Sequence, residues 1–166
     1  MPHGRGHRQR CSCTTRRTPN RPRTGPPRRT LEGSGTDGTP RLIPIGFHWN
    51  GAELVFGTPT DSPKTKVLSD GAQVAVSIDT DEMPYKVLQV RGRIRMDTVD
   101  GVAPEYEAMA IRTLGEEAGQ AWLGTLRAIT SSMCRIFVTP EWVAVLDFET
   151  RFPSALERAM ERAASA

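Results

Sequence analysis

Residues 39–68 read Thr39-Pro40-Arg41-Leu42-Ile43-Pro44-Ile45-Gly46-Phe47-His48-Trp49-Asn50-Gly51-Ala52-Glu53-Leu54-Val55-Phe56-Gly57-Thr58-Pro59-Thr60-Asp61-Ser62-Pro63-Lys64-Thr65-Lys66-Val67-Leu68. Ile43, Ile45, Phe47 and Trp49 alternate, which predicts one strand carrying all four on one face. Asn50-Gly51 then signals a two-residue hairpin turn, since both central positions of a type I′ turn need positive φ. Leu54 and Phe56 extend the apolar face onto a second strand, which Gly57, Thr58 and Pro59 end. Asp61 or Ser62 can cap a helical turn with Pro63 at its first position. That turn carries Lys64 and Lys66. Amides at a helix start, the hydroxyls of Thr58 and Ser62, and two ammonium groups are donors that suit a phosphate. Two solvated lysines on a turn are the plainer alternative.

Working outward, Val74, Val76 and Ile78 alternate and predict a strand over 73–79. The longest strand is expected over 85–97, with Leu88, Val90, Ile94 and Met96 on one face and Gln89, Arg91, Arg93 and Arg95 on the other. Such an arginine stripe either meets acids and water or forms an anion-facing wall at a subunit interface. Helical spacing predicts helices over 103–114 and 116–129, as packing elements with Trp122 in the core. A strand over 134–139 is expected to break at Pro140, with another over 142–148. A short helix over 154–164 would turn Leu156 and Met160 inward.

The chain has 166 residues, enough for one domain with a sizeable core. Its sequence shows no apolar run of membrane-spanning length and no secretory signal pattern. Three cysteines, Cys11, Cys13 and Cys134, make no disulfide framework and fit a reducing, cytoplasmic setting. Cys11-x-Cys13 lacks zinc spacing, and Asp79, Asp81 and Glu82 read as a solvated loop, so no metal site is expected.

Charge is unevenly spread. Residues 1–30 hold nine arginines and no acid, so the whole-chain charge of +3 is a tail of +9 on a body of −6. Poor in apolar residues, residues 1–38 are expected to be a disordered tail and residues 1–33 to be dispensable for the fold. Arginine-rich tails can attract nucleic acid; a solvated extension, or a start placed too far upstream, is the reading adopted. The expected layout is a tail over 1–38, a domain over 39–153 and a short helix or tail over 154–166.

Several segments together carry a resemblance. Gly38-Thr39-Pro40-Arg41, the apolar strand with Pro44, Phe47-x-Trp49, the hairpin, Thr58-Pro59 and Asp61-Ser62-x-Lys64-x-Lys66-x-Leu68 occur in that order. Val74 to Asp79, Val87 to Arg93 and Trp142 to Phe148 continue it. Residues 36–153 thus resemble the pyridoxamine 5′-phosphate oxidase-like split-barrel flavoproteins. The resemblance implies an antiparallel, Greek-key split β-barrel of five or six strands with small helices. It implies a homodimer with FMN, or a deazaflavin of the F-420 type, between subunits. It also implies cofactor contacts at Ile43, Pro44, Ile45, Thr58, Ser62, Lys64, Lys66, Gln89 and Arg91. Two departures stand out. Val67 replaces an asparagine found in many members. The place of the family's first strand holds Thr30-Leu31-Glu32-Gly33-Ser34-Gly35-Thr36-Asp37, too polar and glycine-rich to read as more than a frail edge strand at Leu31.

No Ser-His-Asp order, His-x-x-x-His or Gly-x-Gly-x-x-Gly is present, and no catalytic residue is assigned. His48 reads as a surface or structural imidazole, or as a proton relay beside a flavin. Their absence suits an enzyme whose cofactor carries the chemistry. The function implied is an FMN-dependent oxidoreductase acting on a small substrate. The alternatives are a deazaflavin-dependent reductase and a flavin- or haem-binding module without turnover.

Overall fold

The computed structural model describes residues 28–34, 39–150 and 152–165. In chain order these form β1 (Arg28–Ser34), β2 (Pro40–Pro44), β3 (His48–Trp49), β4 (Leu54–Pro59), a 3-10 turn (Pro63–Lys66), β5 (Gln73–Asp79), β6 (Lys86–Asp100), α1 (Pro104–Leu114), α2 (Glu116–Ile129), β7 (Ser132–Asp147) and α3 (Ser154–Ala164). The described strands make one antiparallel sheet of order β2-β1-β5-β6-β7-β4-β3.

That order dictates the shape. The two outermost strands, β2 and β3, are consecutive in the chain, and only Ile45, Gly46 and Phe47 join them. So short a link reaches at most roughly 14 Å from Pro44 to His48. A seven-stranded sheet can meet that limit only by curling until its edges nearly touch. The result is a barrel split along the β2–β3 seam. The described residues are mainly antiparallel sheet with three small helices, as the resemblance implied, and form seven strands where five or six were expected.

The seam corrects the opening reading of the sequence. Ile43 to Trp49 is not one strand: the chain leaves the sheet at Ile45 and re-enters it on the opposite edge. The hairpin after it also differs, because Asn50 does not take positive φ and Gly51 does, at 102°. Instead Asn50 Oδ1 accepts from the amides of Ala52 (2.9 Å) and Glu53 (2.8 Å), closing a four-residue loop.

The first strand exists and is not an edge. β1 lies between β2 and β5, with Leu31 opposite Ile43 on one side and Val76 on the other. Leu31 is 1% exposed and sits in the main core with Phe56, Val76, Val90, Ile94, Ile136 and Val138. The expectation of a tail through residue 38 therefore fails at residues 28–34, and that of dispensability through residue 33 loses its basis. A single apolar side chain in the right register suffices when neighbouring strands satisfy the backbone on both sides. Residues 1–27, where the arginine-rich reading mostly falls, lie outside the described residues.

β7 runs unbroken through Pro140. The ladder accommodates the proline at a bulge, where Gly92 faces Pro140 and Arg91 faces Trp142, leaving Glu141 without an opposite number. Gly92 is required here, since a Cβ would run into the Thr139 carbonyl. Gly92→Ala should lose about 1–3 kcal/mol in urea unfolding. A loss under about 0.5 kcal/mol would mean that the two strands part there without strain.

α1 and α2 pack together, and α1 packs against β4 and β3. Gly57 lets Tyr106 approach the strand, its Cβ position lying 2.9 Å from Tyr106 Cβ. Trp122, expected in the core, is 43% exposed and donates from Nε1 to Tyr106 Oη at 3.1 Å. Leu156 and Met160 on α3 are also exposed rather than turned inward. No described helix is long and apolar enough to cross a membrane.

Candidate functional site

The arginine stripe resolves into two kinds of residue. Arg93 pairs with Glu141 at 3.2 Å, and Arg95 reaches Glu53 at 3.5 Å while stacking on Phe137. These two are occupied with structure. Arg91 instead lies over the Trp142 ring, 4.3 Å from its centroid, a cation–π contact that the register creates by placing the two opposite each other.

Arg91 lines two neighbouring clefts on the outer face of β5 and β6. One, of about 490 Å³, is bounded by Pro40, Gln73, Ala75, Gly92 and Glu141. The other, of about 180 Å³, adds Leu42, Ser77 and Gln89. The alternation along β5 and β6 thus sends Gln73, Ala75, Ser77, Gln89 and Arg91 outward. It turns Val74, Val76 and Val90 inward. Ser77 donates to Asp79 Oδ1 at 2.7 Å. Among the described residues that line these clefts are Arg91, stacked on the Trp142 indole, the Glu141 carboxylate, and the amide and hydroxyl groups of Gln73, Gln89 and Ser77.

The basic turn forms a second cluster. Thr58, at the end of β4, is 2% exposed. Lys64 Nζ donates to its Oγ1 at 3.2 Å, and burial lowers the lysine pKa. Among the described residues no carboxylate pairs with Lys64. Lys66 is exposed. Ser62 is the N-cap residue but makes no side-chain cap, its amide bonding Pro59 O instead. Thr65 holds the turn with its hydroxyl on Thr60 O (2.8 Å) and Ser62 O (2.7 Å). Turn amides are thus partly spent internally, and what remains for an anion is chiefly Lys64, backed by Thr58, and Lys66.

The nine residues singled out from the sequence therefore fall into separate groups. Thr58, Ser62, Lys64 and Lys66 gather at the turn. Gln89 and Arg91 share the outer cleft with Leu42 of β2. Ile43 meets Val67, Leu68 and Leu31 in a small hollow beneath the turn. Pro44 ends β2, and Ile45 packs against the main core. Among the described residues the two outer clefts contain neither lysine. β2 is the strand that lies between the groups. Sequence reading missed Leu42, Ser77 and Trp142. The polar parity of Ser77 was a usable signal, but Trp142 gains its place only through the register with Arg91.

Cys134 is buried. Burial first, then Asp97 and Asp70, push its thiol pKa up. The neighbouring Arg135 does not activate it. That guanidinium grips Asp97 with two bonds of 2.7 Å and Glu105 with one of 3.2 Å. His48 is half-buried on β3, opposite Val55. No cluster able to hold a metal ion occurs among the described residues.

No family model and no curated protein matches the chain. Solved structures do. The chain is similar to an F420 reductase, with 26% identity and a TM-score of 0.54 over 72% of this chain and 90% of that one. It is similar to the FAD and haem binding protein of Mycobacterium smegmatis, with 21% identity and a TM-score of 0.52 over 81% of this chain and 72% of that one. It is also similar to a pyridoxamine 5′-phosphate oxidase-related, FMN binding protein of Nostoc punctiforme, with 12% identity and a TM-score of 0.51 over 74% of each chain. At such identities the last two similarities speak to the fold.

Proposed function

We propose, from the pyridoxamine 5′-phosphate oxidase-like split-barrel fold that this chain has, that it binds a phosphate-bearing flavin-type cofactor and moves electrons between it and a small substrate. The observation that carries the reading is Lys64. A half-buried ammonium resting on a buried hydroxyl, with no carboxylate paired to it among the described residues, is unfavourable by itself. A bound phosphate would supply the missing counter-charge. FMN, whose terminal phosphate suits the turn, is the first candidate. Ile43 and Pro44 of β2, and Ile45 just after it, would border the ring, with Ser62 and Lys66 beside Lys64.

A deazaflavin is the second candidate, favoured by the 26% identity to an F420 reductase over most of that protein. Either cofactor would supply the redox chemistry. The chain would bind, orient and shield it.

The reading includes a homodimer. Leu42, which lines the Gln89–Arg91 cleft, is 66% exposed, and Trp142, stacked against Arg91, is 42% exposed. A second copy laid on this outer face would cover them and close the clefts, as two-fold assembly allows. We place the protein in the cytoplasm on its cysteine usage alone.

The test is the absorption spectrum of the purified protein, with any cofactor identified after denaturation, followed by reconstitution with FMN or a deazaflavin. A bound yellow chromophore released as FMN or a deazaflavin is expected, with turnover when a nicotinamide or reduced deazaflavin donor is supplied. A colourless protein that takes up neither overturns the reading. A Soret band with no flavin would point to a haem module instead.

A further inference from the structure

The bulge that lets β7 pass Pro140 also changes what the barrel interior does at that end. Before it, Ile136 and Val138 point inward and are 0% exposed. Beyond it the extra residue shifts the inward parity to Val143 and Val145, opposite Val90 and Leu88, and these are 53% and 43% exposed. The inner face of the sheet continues past the filled core and stands open.

A cavity of about 250 Å³ occupies that end. Ile78, Leu88, Val90 and Val143 form its wall on the sheet. Phe47 and Trp49 stand across from them, Leu54 is its floor, and Pro140 is at its lip. Its lining presents no polar surface. The aromatic wall is held from behind: Phe47 packs on Phe56 at 6.3 Å between ring centroids, and Arg112 of α1 both donates to the Phe47 carbonyl and lies 5.4 Å from its ring.

We propose that this open barrel end binds a small molecule through a neutral apolar ring or short hydrocarbon group, with any polar part of the ligand left outside. A polar group inside would give up hydrogen bonds to water and find none in return. An apolar cavity of about 150 Å³ stays dry and takes up benzene; this one holds a larger ring. Being concave, it is filled outright by a ring, whereas the surface of another protein would have to insert a side chain. It is also distinct from the proposed cofactor contacts, because Leu88 and Val90 alternate along β6 with the outward Gln89 and Arg91. The proposal stands or falls independently of the flavin reading.

Calorimetric titration of the full chain with naphthalene tests it. Saturable one-to-one binding with a negative heat-capacity change is expected. Val143→Phe, at a half-exposed position where a larger ring is tolerated, should fill the cavity and weaken binding by about tenfold or more. Val145→Phe, on the same face but outside the lining, should bind as the parent does. Melting curves establish that each variant is folded. If Val143→Phe is not, Trp49→Ala removes a wall and should weaken binding in its place. Absence of saturable binding by the parent overturns the proposal, as does parent-like affinity in both Val143→Phe and Trp49→Ala. Light scattering that shows Val143→Glu splitting a dimer into monomers would make this end a subunit interface and overturn it too.

Discussion

Leu31→Ala is expected to destabilise the protein by about 2–5 kcal/mol, the range for emptying a fully buried leucine site. Leu31 lies in the middle of β1, and its neighbours on both sides belong to paired strands. The barrel cannot collapse onto the gap without moving β2 or β5. Removing residues 1–34 should go further and abolish cooperative unfolding, because β2 then loses the strand that joins it to the sheet and β5 gains an open edge. Removal of residues 1–27, a stretch poor in apolar side chains, should change stability by less than about 1 kcal/mol. Urea titration of the three variants decides the matter. Parent-like stability for Leu31→Ala would mean that β1 contributes little to the barrel in solution.

Lys64→Ala is expected to weaken FMN binding about 10- to 150-fold while leaving riboflavin, which lacks the phosphate, nearly untouched. The range follows from roughly 1.5–3 kcal/mol for a charge-assisted hydrogen bond. Lys66 is exposed, so Lys66→Ala should cost less than about 5-fold. Burial lowers the Lys64 pKa in the folded protein, so folding is penalised while the amine is charged. That penalty is fully present below the folded pKa and disappears as pH rises past the unfolded value. Lys64→Ala should therefore leave the cofactor-free protein as stable as the parent or more so at neutral pH. FMN favours the charged amine, so its affinity should fall with rising pH, starting below the range of an ordinary lysine, and riboflavin affinity should not follow. Equal loss of both ligands in Lys64→Ala would show that the turn supports the ring pocket. Unchanged FMN affinity would put the phosphate elsewhere.

What the residues announce by themselves is local. Alternation fixed which side chains of β5 and β6 face inward, from Val74, Val76 and Ile78 to Leu88, Val90 and Ile94, because period two is a property of any extended chain. Helical spacing and the glycine between them gave α1 and α2 within a residue or so, Gly115 lying at φ 83° where only glycine is comfortable. The basic turn was legible for the same reason: Pro63 and its neighbours restrict the backbone wherever they stand. Tertiary structure decided the rest. Leu31 belongs to a strand because two neighbours hydrogen-bond it, and its own sequence is nearly silent on that point. Ile43 to Trp49 alternates like one strand, yet it is divided between the two edges of the sheet, because closing the barrel brings those edges together at Ile45 to Phe47. Arg91 meets Trp142, and Leu31 meets Val76, only through register between paired strands. Such contacts join residues far apart in the chain, and no local preference encodes them; they exist only once the sheet has curled.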